Sequence, residues 1–372
     1  FRRVLFRSNG DHYYVQTHSV EEIFSSNYMK ELRQKFREGE KPKECQVCIK
    51  DEMNNYISKR QRYIESDIGK LIDYSEDPNF PIEYQMILSN ACNLKCRSCS
   101  PSHSSLWQAE FKQVYNNTGY PMKHGQSGDK DSVLWQDRKD WMKHLKRLEI
   151  VGGEPFYIKQ WKDLWEELIS EGLNKEIMVD MCSNGTIYAG DTVDWLCSNF
   201  KSVGIGLSID GVGKTYNYLR HPGNWDDVSK NIVKYHALFL SSQGKPLWFQ
   251  FSHTIGWVNA WELPEFHSWV KENAPSFNIW NNIIHNPRHM SLIMIPKDVK
   301  DLIKEKWSSY NWGKYQQEID GVINFMYSEQ PSDEEICKEY KNFIRHDAVR
   351  NERSEEHTSE LQSRETISYA VF

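Results

Sequence analysis

The stretch "EYQMILSNACNLKCRSC" (83–99) joins a short apolar run to a loop with cysteines at 92, 96 and 99. The run EYQMILS (83–89) has the length and apolar content of a buried strand. The loop supplies three sulfurs at Cys-x-x-x-Cys-x-x-Cys spacing and no fourth. A structural zinc site takes four ligands, and an ordinary iron–sulfur cluster takes four thiolates. A metal centre on this loop is therefore one ligand short.

Working outward, apolar strand-like runs recur at RLEIVGG (147–153), EIMVDMCS (176–183), SVGIGLSID (202–210), PLWFQFSHTI (246–255) and FNIWNNIIH (277–285). Amphipathic stretches separate them. In YIKQWKDLWEELISEG, residues Ile158, Trp161, Leu164, Trp165 and Leu168 fall at helical spacing, and Gly172 is the stop signal. DDVSKNIVKYHALFL and ELPEFHSWVKENA read the same way. Six strand–helix units predict an α/β fold with parallel strands and right-handed crossovers, an open or closed barrel. After Pro296 the pattern is helical only. Functional groups of such a fold sit on the loops after the strands. Those loops carry Cys92, Cys96 and Cys99, then Gly152, Gly153, Glu154 and Pro155, then Ser183 and Asn184, then Ser208 and Asp210.

Composition sets the outer bounds. The 372 residues are 39% hydrophobic with 14 Trp, which is a folding sequence. A net charge of −6 argues against a dedicated nucleic-acid binder. No apolar run is long enough for a membrane span. Eight cysteines are too sparse for a disulfide scaffold, and their clustering predicts metal binding in a reducing, cytoplasmic compartment.

The N-terminal piece is separate in character. Ser19 with Glu22 is a capping-box pattern, and a second helix places Tyr28, Met29, Leu32 and Phe36 on one face before Gly39. ECQVCIKDE follows, with Cys45 and Cys48 on a short hairpin-like spacing. The expected boundaries are a satellite domain over 9–80, a core over 81–295 and a helical extension over 296–352. The two ends stand apart. RSEEHTSE (353–360), encoded in one choice of codons and read on the opposite strand, gives FRRVLFRS, the first eight residues. Residues 1–8 and 353–372 are therefore expected to derive from a sequencing adapter, with the natural gene continuing past both edges.

The order of these motifs resembles the radical S-adenosylmethionine (SAM) superfamily over about residues 82–290. That resemblance implies a partial (β/α)6 TIM-like barrel. It implies that Cys92, Cys96 and Cys99 hold three irons of a [4Fe–4S] cluster, with SAM on the open fourth iron, so the missing ligand is the place of the cofactor. An electron from the cluster would cleave SAM to a 5′-deoxyadenosyl radical that takes a substrate hydrogen. Gly153 and Glu154 would meet the SAM ammonium, with Gly152 and Pro155 shaping that loop. Ser183, Asn184, Ser208 and Asp210 would meet other parts of SAM. One departure stands out: the usual aromatic residue before the third cysteine is Ser98 here.

The Cys45–Cys48 segment is similar to the cysteine-bearing parts of SPASM and twitch domains, as in twitch-containing radical SAM proteins of phage and environmental genomes. This implies an auxiliary iron–sulfur cluster whose remaining ligands lie upstream; a zinc ribbon is the alternative. The stretch after the fourth strand, SIDGVGKTYNYLRHPGNWDDVSKNI, resembles peptide-modifying enzymes of this type. The implied partners are a peptide or protein substrate and a reductase or flavodoxin-type electron donor. Modification of a nucleic-acid base or small metabolite is a competing reading, and a non-catalytic zinc or iron–sulfur module is another. For the latter, Cys182 or His103 would complete a zinc site.

Overall fold

The computed structural model describes residues 6–8, 11–53, 57–115 and 130–352. Six strands form one parallel sheet: Glu83–Met86 (β1), Arg147–Ile150 (β2), Met178–Ser183 (β3), Ser202–Ser208 (β4), Leu247–Ile255 (β5) and Asn278–Ile283 (β6). Their order in the sheet is their order in the chain, and β1 does not pair with β6. The sheet is thus an open, partial barrel, with all six expected strands present and each a little shorter at its margins.

Alternation along the strands separates two faces. Leu148, Ile150, Val179, Met181, Val203, Ile205, Leu207, Phe249 and Phe251 are buried in one apolar core. They pack with Trp161, Leu164, Trp165 and Leu168 of the helix Lys159–Ser170, and with Val228, Ile232 and Tyr235 of the helix Trp225–Ser241. The opposite, concave face is polar. Arg147 of β2 pairs with Asp180 of β3 at 2.5 Å and with Glu83 of β1 at 3.3 Å, near the N-terminal ends of the strands. Gly204 on β4 faces the same side, and a Cβ there would overlap both the Trp248 indole and the Asp180 carboxylate. A Cβ on Gly206 would meet the Ser252 hydroxyl at 2.8 Å. Gly204 leaves room for the Trp248 indole on this face.

An open sheet leaves edge strands that must be covered. The helix Lys59–Glu65 does this, started by a Ser58–Gln61 capping box. Tyr63 hydrogen-bonds Glu83 on β1, while the Arg62 guanidinium lies over the Trp280 ring of β6, 5.6 Å from its centroid. One helix from the N-terminal piece therefore bridges the first and last strands. Arg60 of the same helix pairs with Glu52 at 2.6 Å. Arg33 and Arg37 of the helix Asn27–Arg37 both hold Asp77, at 2.6 and 3.1 Å. The expected Ser19–Glu22 capping box is formed.

Cys45 and Cys48 differ from expectation. Cys45 ends a 3-10 turn, Lys43–Cys45, and Cys48 lies in the helix Gln46–Met53, not on a hairpin. A spacing of three fits one helical turn as well as a tight turn, and the local sequence chose the helix. Of the adapter-like ends, residues 1–5 and 353–372 lie outside the described residues. Phe6–Ser8 pairs antiparallel with Asp11–Tyr13. C-terminal to β6 the chain is helical, and Ile303, Trp307, Ile319, Val322 and Met326 join Ile255 and Leu263 in a second core. No helix among the described residues is long and apolar enough to cross a membrane.

The packing of Trp248 on Gly204 generates a stability test. Gly204→Ala should lower stability by about 1–3 kcal/mol through overpacking. Pairing it with Trp248→Ala should return part of that loss, because the two sites then share one void. Urea unfolding of the four proteins of this cycle measures both.

Candidate cofactor site

The site is built where the loops after β1, β2 and β3 meet. Gly152 and Gly153 have φ of +81° and +61°, a region that favours glycine. A Cβ on Gly152 would press on Ile87 at 2.7 Å, and one on Gly153 would press on the Ala91 carbonyl at 2.5 Å. This closeness lets the β2 loop lie directly on the cysteine loop. The Gly153 N–H donates to the His103 carbonyl at 2.8 Å, and the Glu154 N–H donates to the Ala91 carbonyl at 2.9 Å.

Glu154 is fully buried, at 0% exposure. Its carboxylate accepts from the Asn184 N–H at 2.7 Å, the Ser183 hydroxyl at 2.9 Å and the Phe156 N–H at 3.3 Å. Pro155 follows at the first position of a 3-10 turn, where its missing N–H does no harm. Burial raises the Glu154 carboxyl to about 7 against the pull of these donors. Its two oxygens, accepting from both loops, brace the β2 loop to the β3 loop. Asn184 reaches on to Asn93 at 2.9 Å, and its Nδ2 lies 3.8 Å from Cys92 Sγ. The chain therefore brings Gly152, Gly153, Glu154, Pro155, Ser183 and Asn184 together beside Cys92.

Asp210 follows the same logic on the other side. Its carboxylate pairs with Arg220 at 2.8 Å and accepts from the Thr254 N–H at 3.0 Å. Arg220 in turn directs Nη1 at Cys96 Sγ, 3.8 Å away. Ser208 ends β4 on the concave face, level with Ser252 of β5 and Trp280 of β6.

All three loop cysteines are free thiols. Burial pushes Cys96 up to about 11 and Cys99 to about 12, so these sulfurs ionise only against a strongly cationic centre. No three of His, Cys, Asp or Glu gather on one metal-ion position among the described residues. Neither Cys182 nor His103 therefore completes a single-ion site with the loop. A cuboidal cluster makes a different demand, with each thiolate on its own iron. The donor set fits such a group: three thiols on one loop, a glycine cradle beside them, and two buried polar atoms, Arg220 Nε and Tyr216 Oη, that have no hydrogen-bond partner. Cys45 and Cys48 lie apart on the N-terminal helices, and no third ligand joins them among the described residues.

Sequence reasoning missed the clamp from the C-terminal helix Asp333–Arg350. Arg97, between two of the cysteines, pairs with Asp347 and Glu352, each at 2.6 Å. Arg350 pairs with Glu110 at 2.6 Å and donates to the Lys95 carbonyl, also at 2.6 Å. Only the abundance of charge in a segment read as helical hinted at this.

Comparison with known proteins fits this geometry. The Radical SAM superfamily profile matches residues 86–244. That span of the chain is similar to the radical SAM superfamily. The matched span begins within β1 and includes the cysteine loop, the glycine cradle and Arg220. The superfamily's cofactors are a [4Fe–4S] cluster and SAM. The sporulation killing factor maturation protein SkfB of Bacillus subtilis is 28% identical over 160 residues, 43% of this chain and 34% of that protein. The chain thus spans about a third of the length of that curated relative. Among solved structures, anSMEcpe with bound AdoMet aligns over 64% of this chain and 59% of its own, at 20% identity and a TM-score of 0.42. SuiB of Streptococcus suis bound to S-adenosylmethionine aligns over 64% and 45%, at 18% identity and a TM-score of 0.36.

The Glu154 brace makes its own prediction. Glu154→Ala leaves the Ser183 hydroxyl and the Asn184 and Phe156 N–H groups without their acceptor. Each buried unmet donor costs about 1–3 kcal/mol, so the urea midpoint should fall clearly. Glu154→Gln keeps one acceptor and should fall between the two. A midpoint unchanged in Glu154→Ala would show that the carboxylate braces nothing.

Proposed function

We propose that this chain is a radical SAM enzyme acting on a peptide or protein side chain. Cys92, Cys96 and Cys99 would hold a [4Fe–4S] cluster, and SAM would lie across the loops that end β2, β3 and β4. When bound, the cluster and SAM supply one-electron reductive cleavage of the sulfonium and hydrogen abstraction by the resulting 5′-deoxyadenosyl radical. The observation that carries this reading is the docking of the glycine cradle on the cysteine loop, through the Gly153–His103 and Glu154–Ala91 backbone bonds.

The residues of the chain divide the remaining work. The N–H groups of Gly153 and Glu154 point into the cysteine loop, which leaves the carbonyls of the cradle to accept from the SAM ammonium. Glu154 acts through Ser183 and Asn184, whose loop it fixes. Asp210 acts through Arg220. Ser208, at the rim of the lumen, would meet the methionyl or ribose part of SAM. The substrate side chain would enter the polar concave face between Ser252 and Trp280. The peptide reading is supported by SkfB, a maturation protein by name. A reductase or flavodoxin-type donor in the cytoplasm would supply the electron. Cys45 and Cys48 would contribute two thiolates to an auxiliary iron–sulfur cluster, with a zinc ribbon as the alternative.

Anaerobically reconstituted, reduced protein should convert SAM to 5′-deoxyadenosine and methionine. Cys96→Ala should abolish this along with the cluster signal; continued cleavage by that variant would overturn the proposal. Iron analysis tests the satellite separately. About four irons per chain are expected, and the Cys45→Ala/Cys48→Ala variant should keep them all.

A further inference from the structure

The backbone places Arg220 opposite Cys96. The Lys95 N–H donates to the His221 carbonyl and the Arg97 N–H donates to the Leu219 carbonyl, both at 2.8 Å. The residues on either side of Cys96 are thus bonded to the residues on either side of Arg220. The guanidinium is 7% exposed and reaches Cys96 Sγ at 3.8 Å through Nη1. Its Nη2 holds Asp210 at 2.8 Å, while Nε has no partner. Asp210 is fixed from the β5 side by the Thr254 N–H, and its carbonyl accepts from Asn259 Nδ2 at 2.7 Å. The cation cannot swing away without breaking this chain.

A buried cation with a single carboxylate partner is expensive to keep. Packing alone would be served by an apolar side chain. The ion pair is oriented, with Nη1 3.8 Å from one thiol of the cysteine loop and Nη2 on the Asp210 carboxylate. We propose that Arg220 is a positioning residue that sets the reduction potential of the cluster through Cys96. The inference rests on the radical SAM reading above. One electron enters from an external reductant, no bond forms or breaks, and the added negative charge is stabilised by the nearby guanidinium. The reduced state is thereby favoured. Asp210 moderates the effect as the counter-charge.

The test uses the full chain, reconstituted anaerobically with ferrous iron and sulfide and titrated with dithionite while the reduced-cluster EPR signal is followed. In Arg220→Gln with its full iron complement, the ratio of reduced to oxidised cluster at the wild-type midpoint should fall about tenfold. For one electron that is a shift of about 59 mV to more negative potential. Arg220→Lys should recover most of the shift, because it keeps the charge. Asp210→Asn should move the potential the other way, because the backbone bonds at 219 and 221 still hold Arg220 in place. A wild-type potential in iron-loaded Arg220→Gln overturns the inference, as does a shift in Arg220→Lys equal to that in Arg220→Gln. Should Arg220→Gln fail to take up iron, Asp210→Asn decides: a potential unchanged or lowered there overturns it. Wild-type protein that forms no EPR-active cluster overturns this inference and the radical SAM reading together.

Discussion

The site depends on one constraint: a loop of three cysteines must keep its shape although it has no regular secondary structure of its own. Backbone hydrogen bonds from several directions supply that shape. The β2 loop donates to the Ala91 and His103 carbonyls, the 219–221 segment brackets Cys96, and the Trp107 indole donates to the Cys96 carbonyl at 2.6 Å. Arg350 reaches the Lys95 carbonyl from the C-terminal helix. Carbonyls and N–H groups away from water must find partners, so a loop satisfied in this way has few alternative conformations. The sulfurs are left free to face a metal group.

The same constraint explains why the acidic residues near the site serve the protein first. Glu154 and Asp210 look like ligands for a cofactor ammonium or hydroxyl when read along the chain. In the fold each is more than nine-tenths buried and each already accepts from the neighbouring loop. A buried carboxylate has to be partnered or protonated. Using it as a brace meets that requirement whether or not a cofactor is bound. The cofactor would then meet groups whose positions are already set, which is the arrangement that wastes least binding energy on ordering.

The sheet was legible because parallel strands buried by helices carry a strong local signal: apolar runs, helical spacing between them, and glycine stops such as Gly172. The cysteine loop and glycine cradle were legible because their spacing is local. The roles of Glu154 and Asp210 were not, since Ser183, Asn184, Arg220 and Thr254 lie on other elements. Nor was the ion-pair clamp of Arg97 with Asp347 and Glu352, which spans most of the core. The helical placement of Cys48 escaped for another reason. A spacing of three residues is common to a turn and to a helix, so periodicity could not choose between them.

The open edge of the sheet connects these points to substrate access. A six-stranded partial barrel has a gap between β1 and β6, and here one short helix crosses it through Tyr63–Glu83 and Arg62–Trp280. Trp280 stands level with Ser252 and Ser208, so the residue that the bridging helix touches also faces the chamber beside the proposed SAM site. Displacing Arg62 would uncover more of the Trp280 ring, already 38% exposed, without touching any cysteine. The contacts across the gap include this cation–π contact and this hydrogen bond, interactions that contribute about 0.5–2 kcal/mol each. The cysteine loop is instead clamped by the buried Arg97 and Arg350 ion pairs, whereas Arg62 and Tyr63 of the bridge are only half-buried.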